Sequence, residues 1–323
     1  MGGPTATTAS TCARPRTVTL PSGGVRVSVG MDIANDIKDF LMSRRARISP
    51  GQVGLPTGGR RRVPGLRREE VAKMAGVSIE YYIQIERGNV AGVSDEVLHA
   101  IARALRFGEA EETHLFDLVR AATTKAERPR PARGQARTIP AGVQALLDSM
   151  VTAPAIVVNG QLDVVAANAL GRALFAPVFA HAEQTPNAAR FMFVDAAAGQ
   201  FLPEWAKEAD DVVALLRAEA ARSPDSPAVT RLVDELATRS QEFRTRWAAH
   251  NVKAHRHGVK RFRLAEVGEL VLTYNVLDIT GRGELSLIGY SAQQDSRSEA
   301  ALRMLASWTA TGSYAARNDI ATT

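Results

Sequence analysis

Residues 66–88 read LRREEVAKMAGVSIEYYIQIERG, and this stretch decides how the first third of the chain folds. Arg67–Ala75 predicts one helix, with Val71, Ala72 and Met74 at its apolar positions. Gly76 supplies the turn, because a glycine enters the left-handed backbone region without a Cβ penalty. Val77 follows as a buried hinge residue, and Ser78 is a suitable N-cap for a second helix running to about Arg87. Where the helices cross, the small side chain of Ala72 lets them approach, and Val77, Tyr82 and Ile85 form an apolar seal. Ile79, Glu80, Ile83, Gln84 and Arg87 are then left on the outer face of the second helix.

A helix held this way can set the residues near its N-terminus, from Ser78 onward, against base edges of DNA. Gln84 can pair with adenine, Glu80 can accept from cytosine, and Ile79 can meet a thymine methyl. Arg67 and Arg68 begin the preceding helix, where the phosphate backbone or a guanine at the groove edge would lie. The same helix pair also occurs in ordinary bundles, so its surroundings matter. Between Asp39 and Glu69 the chain has eight arginines, at 44, 45, 47, 60, 61, 62, 67 and 68, and no acidic residue. That favours a phosphate-facing role, with solvated surface as the alternative for Arg44, Arg45, Arg47, Arg60, Arg61 and Arg62. For Glu86 the plain alternative is a pair with a neighbouring arginine.

Charge is distributed unevenly. Residues 1–138 hold 22 Lys/Arg against 14 Asp/Glu, whereas residues 139–323 hold 18 against 20. The net charge of +6 thus arises in the first part, the electrostatic layout of a nucleic-acid-binding module attached to a near-neutral partner domain. At 323 residues the chain is long for one core and comfortable for two. No apolar run approaches the roughly 18 residues of a membrane span, so a membrane partner is not expected and the cytoplasm is the expected compartment. The only cysteine, Cys12, excludes an intrachain disulfide and argues against a cysteine-based metal site.

The organisation expected is a tail over 1–30, an all-α domain over 31–120, a basic linker over 121–138, an α+β domain over 139–310 and a frayed end over 311–323. Met31, directly before the first helical pattern, is read as an alternative start of translation. Five helices are expected in the first domain: Asp32–Arg47, the pair above, one capped by Ser94, and Glu109–Arg120. In the second domain, Ala155–Val158 and Leu162–Ala167 read as strands around Asn159-Gly160, a hairpin signal. Helices over Trp205–Ala221, Val229–Thr238 and Glu242–Ala249 precede three strands, Lys260–Leu264, Glu269–Val276 and Glu284–Tyr290, and a last helix, Ser296–Trp308.

Residues 66–88 resemble the helix–turn–helix of the Xre, lambda-repressor-like superfamily. The longer string RRVPGLRREEVAKMAGVSIEYYIQIERG, residues 61–88, resembles a narrower actinobacterial group, the MmyB-like regulators. Later motifs continue the resemblance: Leu162-Asp163-Val164 with Ala166 and Asn168, NAARFMFV at 187–194, Trp205, Leu216-Arg217-Ala218-Glu219, Ser240-Gln241-Glu242-Phe243 with Trp247, and Val267-Gly268-Glu269-Leu270. The resemblance implies a transcriptional regulator with a lambda-repressor-like first domain. It also implies a PAS-like second domain that takes a small, fatty-acid-like ligand. Two positions depart from the group's pattern: Ala167 stands where it usually has Trp, and Leu264-Ala265 where it usually has His-Pro. An inward Trp-to-Ala change enlarges a pocket, and loss of the His removes a polar handle.

For the second domain the residues themselves suggest a pocket between sheet and helices, with Phe191, Phe193, Trp205, Phe243, Trp247 and Tyr274 as lining. Core packing is the alternative for each. Arg190 and Arg246 are the candidates for a carboxylate headgroup. Catalytic chemistry finds no foothold: Asp163, Glu235 and Glu269 form no paired-carboxylate signature. Gly281-Arg282-Gly283 is a plain turn, and His250, His255 and His257 lack the further ligands of a zinc set. No metal or cofactor is expected. A homodimer on duplex operator DNA is expected, with the apolar face of Ala301, Leu302, Leu305 and Trp308 as one possible contact. The competing reading is a second domain that serves only as a dimerisation scaffold.

Overall fold

Gly76 sets the geometry of the first domain. It sits at φ +70°, the left-handed region that suits glycine, and closes helix α2 (Arg68–Ala75). The next N–H, of Val77, reaches back to the Ala72 carbonyl at 3.0 Å. Helix α3 (Ile79–Glu86) then starts at Ser78, whose hydroxyl accepts from the Tyr81 N–H at 3.1 Å. Helices α1 (Ile33–Arg47), α4 (Asp95–Ala104) and α5 (Glu109–Thr123) enclose this pair. Ile37, Phe40, Leu41, Val71, Ala72, Tyr82, Ile85, Leu98 and Leu115 form the shared core. Ser94 stands at the N-cap of α4 without a capping side-chain hydrogen bond. Helix α5 continues to Thr123, three residues into the expected linker.

The structure is a computed structural model and describes residues 33–56, 63, 65–123, 139–180, 185–249, 256–279 and 285–311. Arg60, Arg61, Arg62, His250, His255 and the turn at 281–283 lie outside the described residues, as do the tail and nearly all of the linker.

The second domain is a five-stranded antiparallel sheet with helices between its second and third strands. Its strands are β1 (Ala155–Val158), β2 (Val164–Ala167), β3 (His257–Leu264), β4 (Gly268–Asp278) and β5 (Ser286–Ala292), in the order β2-β1-β5-β4-β3. Along β4, Leu270, Leu272 and Tyr274 face the core and Thr273 and Asn275 face out, the two-residue alternation expected of a half-covered sheet.

The outer face is partly covered by α6 (Ala141–Ser149), through Leu147 and Val143 against Val157, Ala166 and Leu287. On the inner face lie α7 (Ala169–Leu174), α8 (Ala176–Phe179), α9 (Ala188–Val194), α10 (Ala198–Phe201), α11 (Trp205–Arg222), α12 (Pro227–Arg239), α13 (Gln241–Ala248) and α14 (Arg297–Ala310). Leu302 and Leu305 of α14 are buried against this domain's own sheet and α7. The apolar face suggested for dimerisation is therefore largely an intramolecular one.

The β1–β2 hairpin forms, but its turn is not the two-residue kind that Asn-Gly usually makes. The positive φ falls on Leu162, at +63°. The Asn159 side chain instead accepts from the Gln161 and Asp163 N–H groups at 3.0 and 2.9 Å. Gly160 is needed for space: a Cβ there would stand 2.4 Å from the carboxyl carbon of Glu219 on α11.

Helix α11 also joins the domains. It packs on α5, and its Ala221 belongs to the apolar core of the first domain. Among the described residues no helix is long and apolar enough to cross a membrane.

Candidate nucleic-acid interface and ligand groove

The two sides of α3 differ as a docked reading helix requires. Tyr82 and Ile85 are fully buried, whereas Ile79 is 42% exposed and Glu80, Gln84 and Arg87 are exposed with it. Ile83 is half-buried, at the margin of the face, and Ser78 is exposed at its start. Two residues join this face that the sequence reading left out. Tyr81 is exposed and, three residues before Gln84 on the helix, lies at the margin of this face. Asn89 donates from Nδ2 to Oε1 of Gln84 at 2.6 Å and so orients that amide. The signal for Asn89 was Gly88, whose φ of +87° turns the chain back over the helix end.

The arginines divide by partner. Carboxylates absent from the interval 40–68 arrive from elsewhere in the fold. Arg44 is buried and paired with Glu111 at 3.1 Å. Burial lowers its pKa, and Glu111 opposes that shift. Arg44 therefore points into the domain, not toward a phosphate. Glu86, 1% exposed, lies between Arg45 at 3.0 Å and Arg68 at 2.9 Å. Arg45 also donates to the Leu66 carbonyl at 2.7 Å. This triad ties α1, α2 and α3 together, and beside it burial and then Glu86 raise the Tyr82 hydroxyl above the ordinary tyrosine range. Arg68 keeps an exposed side chain beyond its Nε contact. Arg67 is exposed and pairs with Glu69 at 3.1 Å. Arg47 donates to the Ala249 carbonyl at 3.2 Å, at the junction with the second domain.

In the second domain the space between sheet and helices is occupied. Phe175, Phe201, Phe262 and Tyr290 pack with centroids 5.4 to 6.1 Å apart. Tyr274 lies against Tyr290 at 6.2 Å. Burial pushes both tyrosine hydroxyls up, with Asp211 and then Glu208 adding to the effect at Tyr274 and Glu208 adding to it at Tyr290. Ala167 and Leu264 are buried in the same cluster. A second group joins Phe193 to Trp205 and Phe243, and stacks Phe243 on Trp247 at 5.5 Å. Arg246 sits over Trp205 and is held by Asp210 at 3.0 Å and by Glu242. The aromatic side chains of both groups, with Ala167 and Leu264, form packed core, the alternative to a pocket lining, and Arg246 is an ion-paired residue at the edge of that core.

A groove opens instead beside α9 and α12, with a volume of about 350 Å³. Val178, Phe191 and Val194 are its apolar walls, and Asn187, Arg190 and Arg239 its polar rim. Arg190 is gripped by Glu235 through Nε and Nη2 at 2.9 to 3.0 Å. Arg239 reaches the same carboxylate at 3.4 Å. Two guanidinium groups share this one carboxylate, and Asp195 also lines the groove, so its rim carries charges of both signs. Of the candidates named from sequence, the structure brings Arg190 and Phe191 to this groove and none of the others. Glu235 and Arg239 were legible only as an i, i+4 pair on a helix.

The motif residues near the groove act as fasteners. Asn187 caps α9 at the Arg190 N–H and binds Asp163 at 2.7 Å. Asn168 caps α7 and binds the Ala155 N–H and the Met150 and Ala153 carbonyls. His257, on β3, is exposed. Among the described residues no group of three metal-ligating side chains comes together.

Comparison with known proteins assigns both regions. Residues 42–115 match the model of a helix-turn-helix domain. Residues 139–305, more than half of the chain, match that of the MmyB-like transcription regulator ligand binding domain. No curated protein matches the chain.

Proposed function

The chain belongs to the MmyB-like transcription regulators, and from that premise we propose that α3 reads the major groove of an operator while the α9–α12 groove takes a small amphipathic acid. The exposed face of α3, set on a buried seal and pinned through Glu86, carries the proposal. On this reading Ile79, Glu80, Ile83, Gln84 and Arg87 meet base edges, with Ser78 at the helix entrance. Arg67 and Arg68 meet phosphates. Asn89 and Tyr81 support the base-reading face.

The apolar walls support a ligand with a hydrocarbon body, and Arg190 and Arg239 would take its anionic head in exchange for the Glu235 carboxylate they share, with Asp195 bounding the same groove. Helices inserted between β2 and β3, against one face of an antiparallel sheet, support a PAS-like second domain. A dimer on a palindromic or direct-repeat operator fits this function. It would use a surface other than the buried face of α14. Acting on DNA, the protein would work in the cytoplasm. The filled interior of the second domain favours one competitor, a scaffold that needs no ligand.

The test titrates the full chain onto a labelled duplex from upstream of its own gene. A sequence-selective shift that weakens steeply with salt is expected. Binding indifferent to sequence would sink the operator reading. Dodecanoate, titrated by calorimetry, tests the groove: saturable binding abolished by R190Q supports a sensor, and no binding supports the scaffold.

A further inference from the structure

Helix α1 touches the second domain near both its ends. At its last residue, Arg47 binds the carbonyl of Ala249, just beyond α13. In its first turn, Asp36 lies 3.9 Å from Nη1 of Arg217. Arg217 is 4% exposed, although it belongs to α11, a helix of the other domain. Its guanidinium lies over the Trp247 ring at 4.3 Å and donates to the Trp247 carbonyl. A planar guanidinium can stack, donate and pair at once, which a lysine cannot. Burial lowers its pKa to about 10, against the pull of Asp36 and Asp39, so it remains charged at neutral pH.

On one side of Arg217 is the aromatic series Trp247, Phe243 and Phe193, with centroid separations of 5.5 and 5.1 Å. On the other side is α1, which carries Arg45, one of the two residues that pin Glu86 of α3. The exposed carbonyls at the end of a helix carry partial negative charge. The end of α13 receives two arginines, one from each domain.

We infer that Arg217 is a positioning residue that locks α13 of the second domain to α1 of the DNA-binding domain, so that the aromatic series and the reading helix share one mechanical frame. Its neighbours follow the same logic. Gly160 lets the β1–β2 turn press on Glu219, which pairs with Arg222 at 2.7 Å beside α5. The Leu-Arg-Ala-Glu motif at 216–219 thus serves both domains: Leu216 is buried in the second core, Arg217 faces α1, and Glu219 seats the hairpin.

The test is amide hydrogen exchange on the full chain, without DNA or ligand. Its failure would therefore leave the proposed function standing. R217Q should speed exchange of the α1 amides, residues 37–47, at least tenfold while β3–β5 exchange at the wild-type rate. R217K, which keeps the charge and loses the flat stack, should fall between. W247L should loosen α1 in the Arg217 protein and add nothing in R217Q, the signature of one shared interaction. If R217Q does not fold, D36N approaches the contact from its half-exposed side and should loosen α1 by itself. Multiplicative effects of W247L and R217Q, equal acceleration of α1 and the sheet, or an unchanged α1 in D36N would each overturn the inference.

Discussion

Glu86 and Glu235 each lie between two arginines, and the two constellations differ in burial. Glu86, 1% exposed, joins Arg45 and Arg68 and ties three helices of the first domain together. Glu235, with a side chain 30% exposed, joins Arg190 and Arg239 at the rim of an open groove. The chemistry is the same, but the surroundings differ. A buried carboxylate without its cations, or buried cations without their carboxylate, faces a large desolvation penalty. A half-exposed pair gains little over water and can exchange partners. The first constellation therefore fixes a shape, and the second can admit another anion.

The sharpest way to break this contrast is E86Q. Removing one partner from a buried ion pair costs about 3–5 kcal/mol, so urea unfolding of the first domain should move to a much lower midpoint. A loss below about 1 kcal/mol would place Glu86 in the same class as Glu235 and dissolve the distinction.

Next in size are changes on the exposed face of α3, where the fold should be indifferent and the function should not. Q84A should leave the unfolding midpoint in place and weaken operator binding by about 1–3 kcal/mol, with relaxed preference at one base pair. N89A should reproduce part of that loss by releasing the amide. R67A should weaken binding across sequences alike and lower the salt slope by about one. Fluorescence anisotropy at several salt concentrations separates these outcomes. Uniform loss in Q84A would turn Gln84 into a backbone contact.

What could be read from sequence follows from where each constraint originates. The α2–α3 pair was legible because its constraints are local: a helical period, a glycine at a left-handed position and a serine cap. The strands were legible from alternation, as in β4. The fate of the arginines was not, because Arg45 meets a glutamate 41 residues away. The Asn159-Gly160 turn shows both cases. The hairpin is local, whereas the reason for the glycine is Glu219, which arrives from α11. Likewise, the aromatics of the second domain were recognisable as apolar. Whether they fill the core or line a cavity depends on packing across the sheet, and here Phe175, Phe201, Phe262 and Tyr290 fill it. The groove fell beside α9, whose start is set by the Asn187 side chain and its hold on Asp163.

At the groove, E235Q is the counterpart of E86Q. Stability should fall by no more than about 1 kcal/mol, as for an exposed pair. With the internal carboxylate neutralised, Arg190 and Arg239 are left to an external one, and dodecanoate should bind several times more tightly by calorimetry. A cost in stability like that of E86Q, or weaker dodecanoate binding, would mean that Glu235 holds the groove in shape and does not compete with its guest.

The smallest expected effect lies where the two domains meet. Asp117 of α5 is pushed above the ordinary aspartate range chiefly by burial. Arg222 and Arg120 draw it down, and Glu219 adds to the rise. A carboxyl whose folded pKa is raised adds stability that is complete below its unfolded value, about 3.9. That stability is lost as pH rises through the folded value. At neutral pH the ionised group is therefore a slight burden on the α5–α11 contact. D117N should raise the melting temperature at pH 7 by an amount worth less than about 1 kcal/mol, and the gain should vanish as pH falls toward 4. If D117N instead lowers the melting temperature at pH 7, attraction to Arg222 outweighs desolvation. The junction would then belong with the Glu86 triad, as a place where paired charge fixes shape.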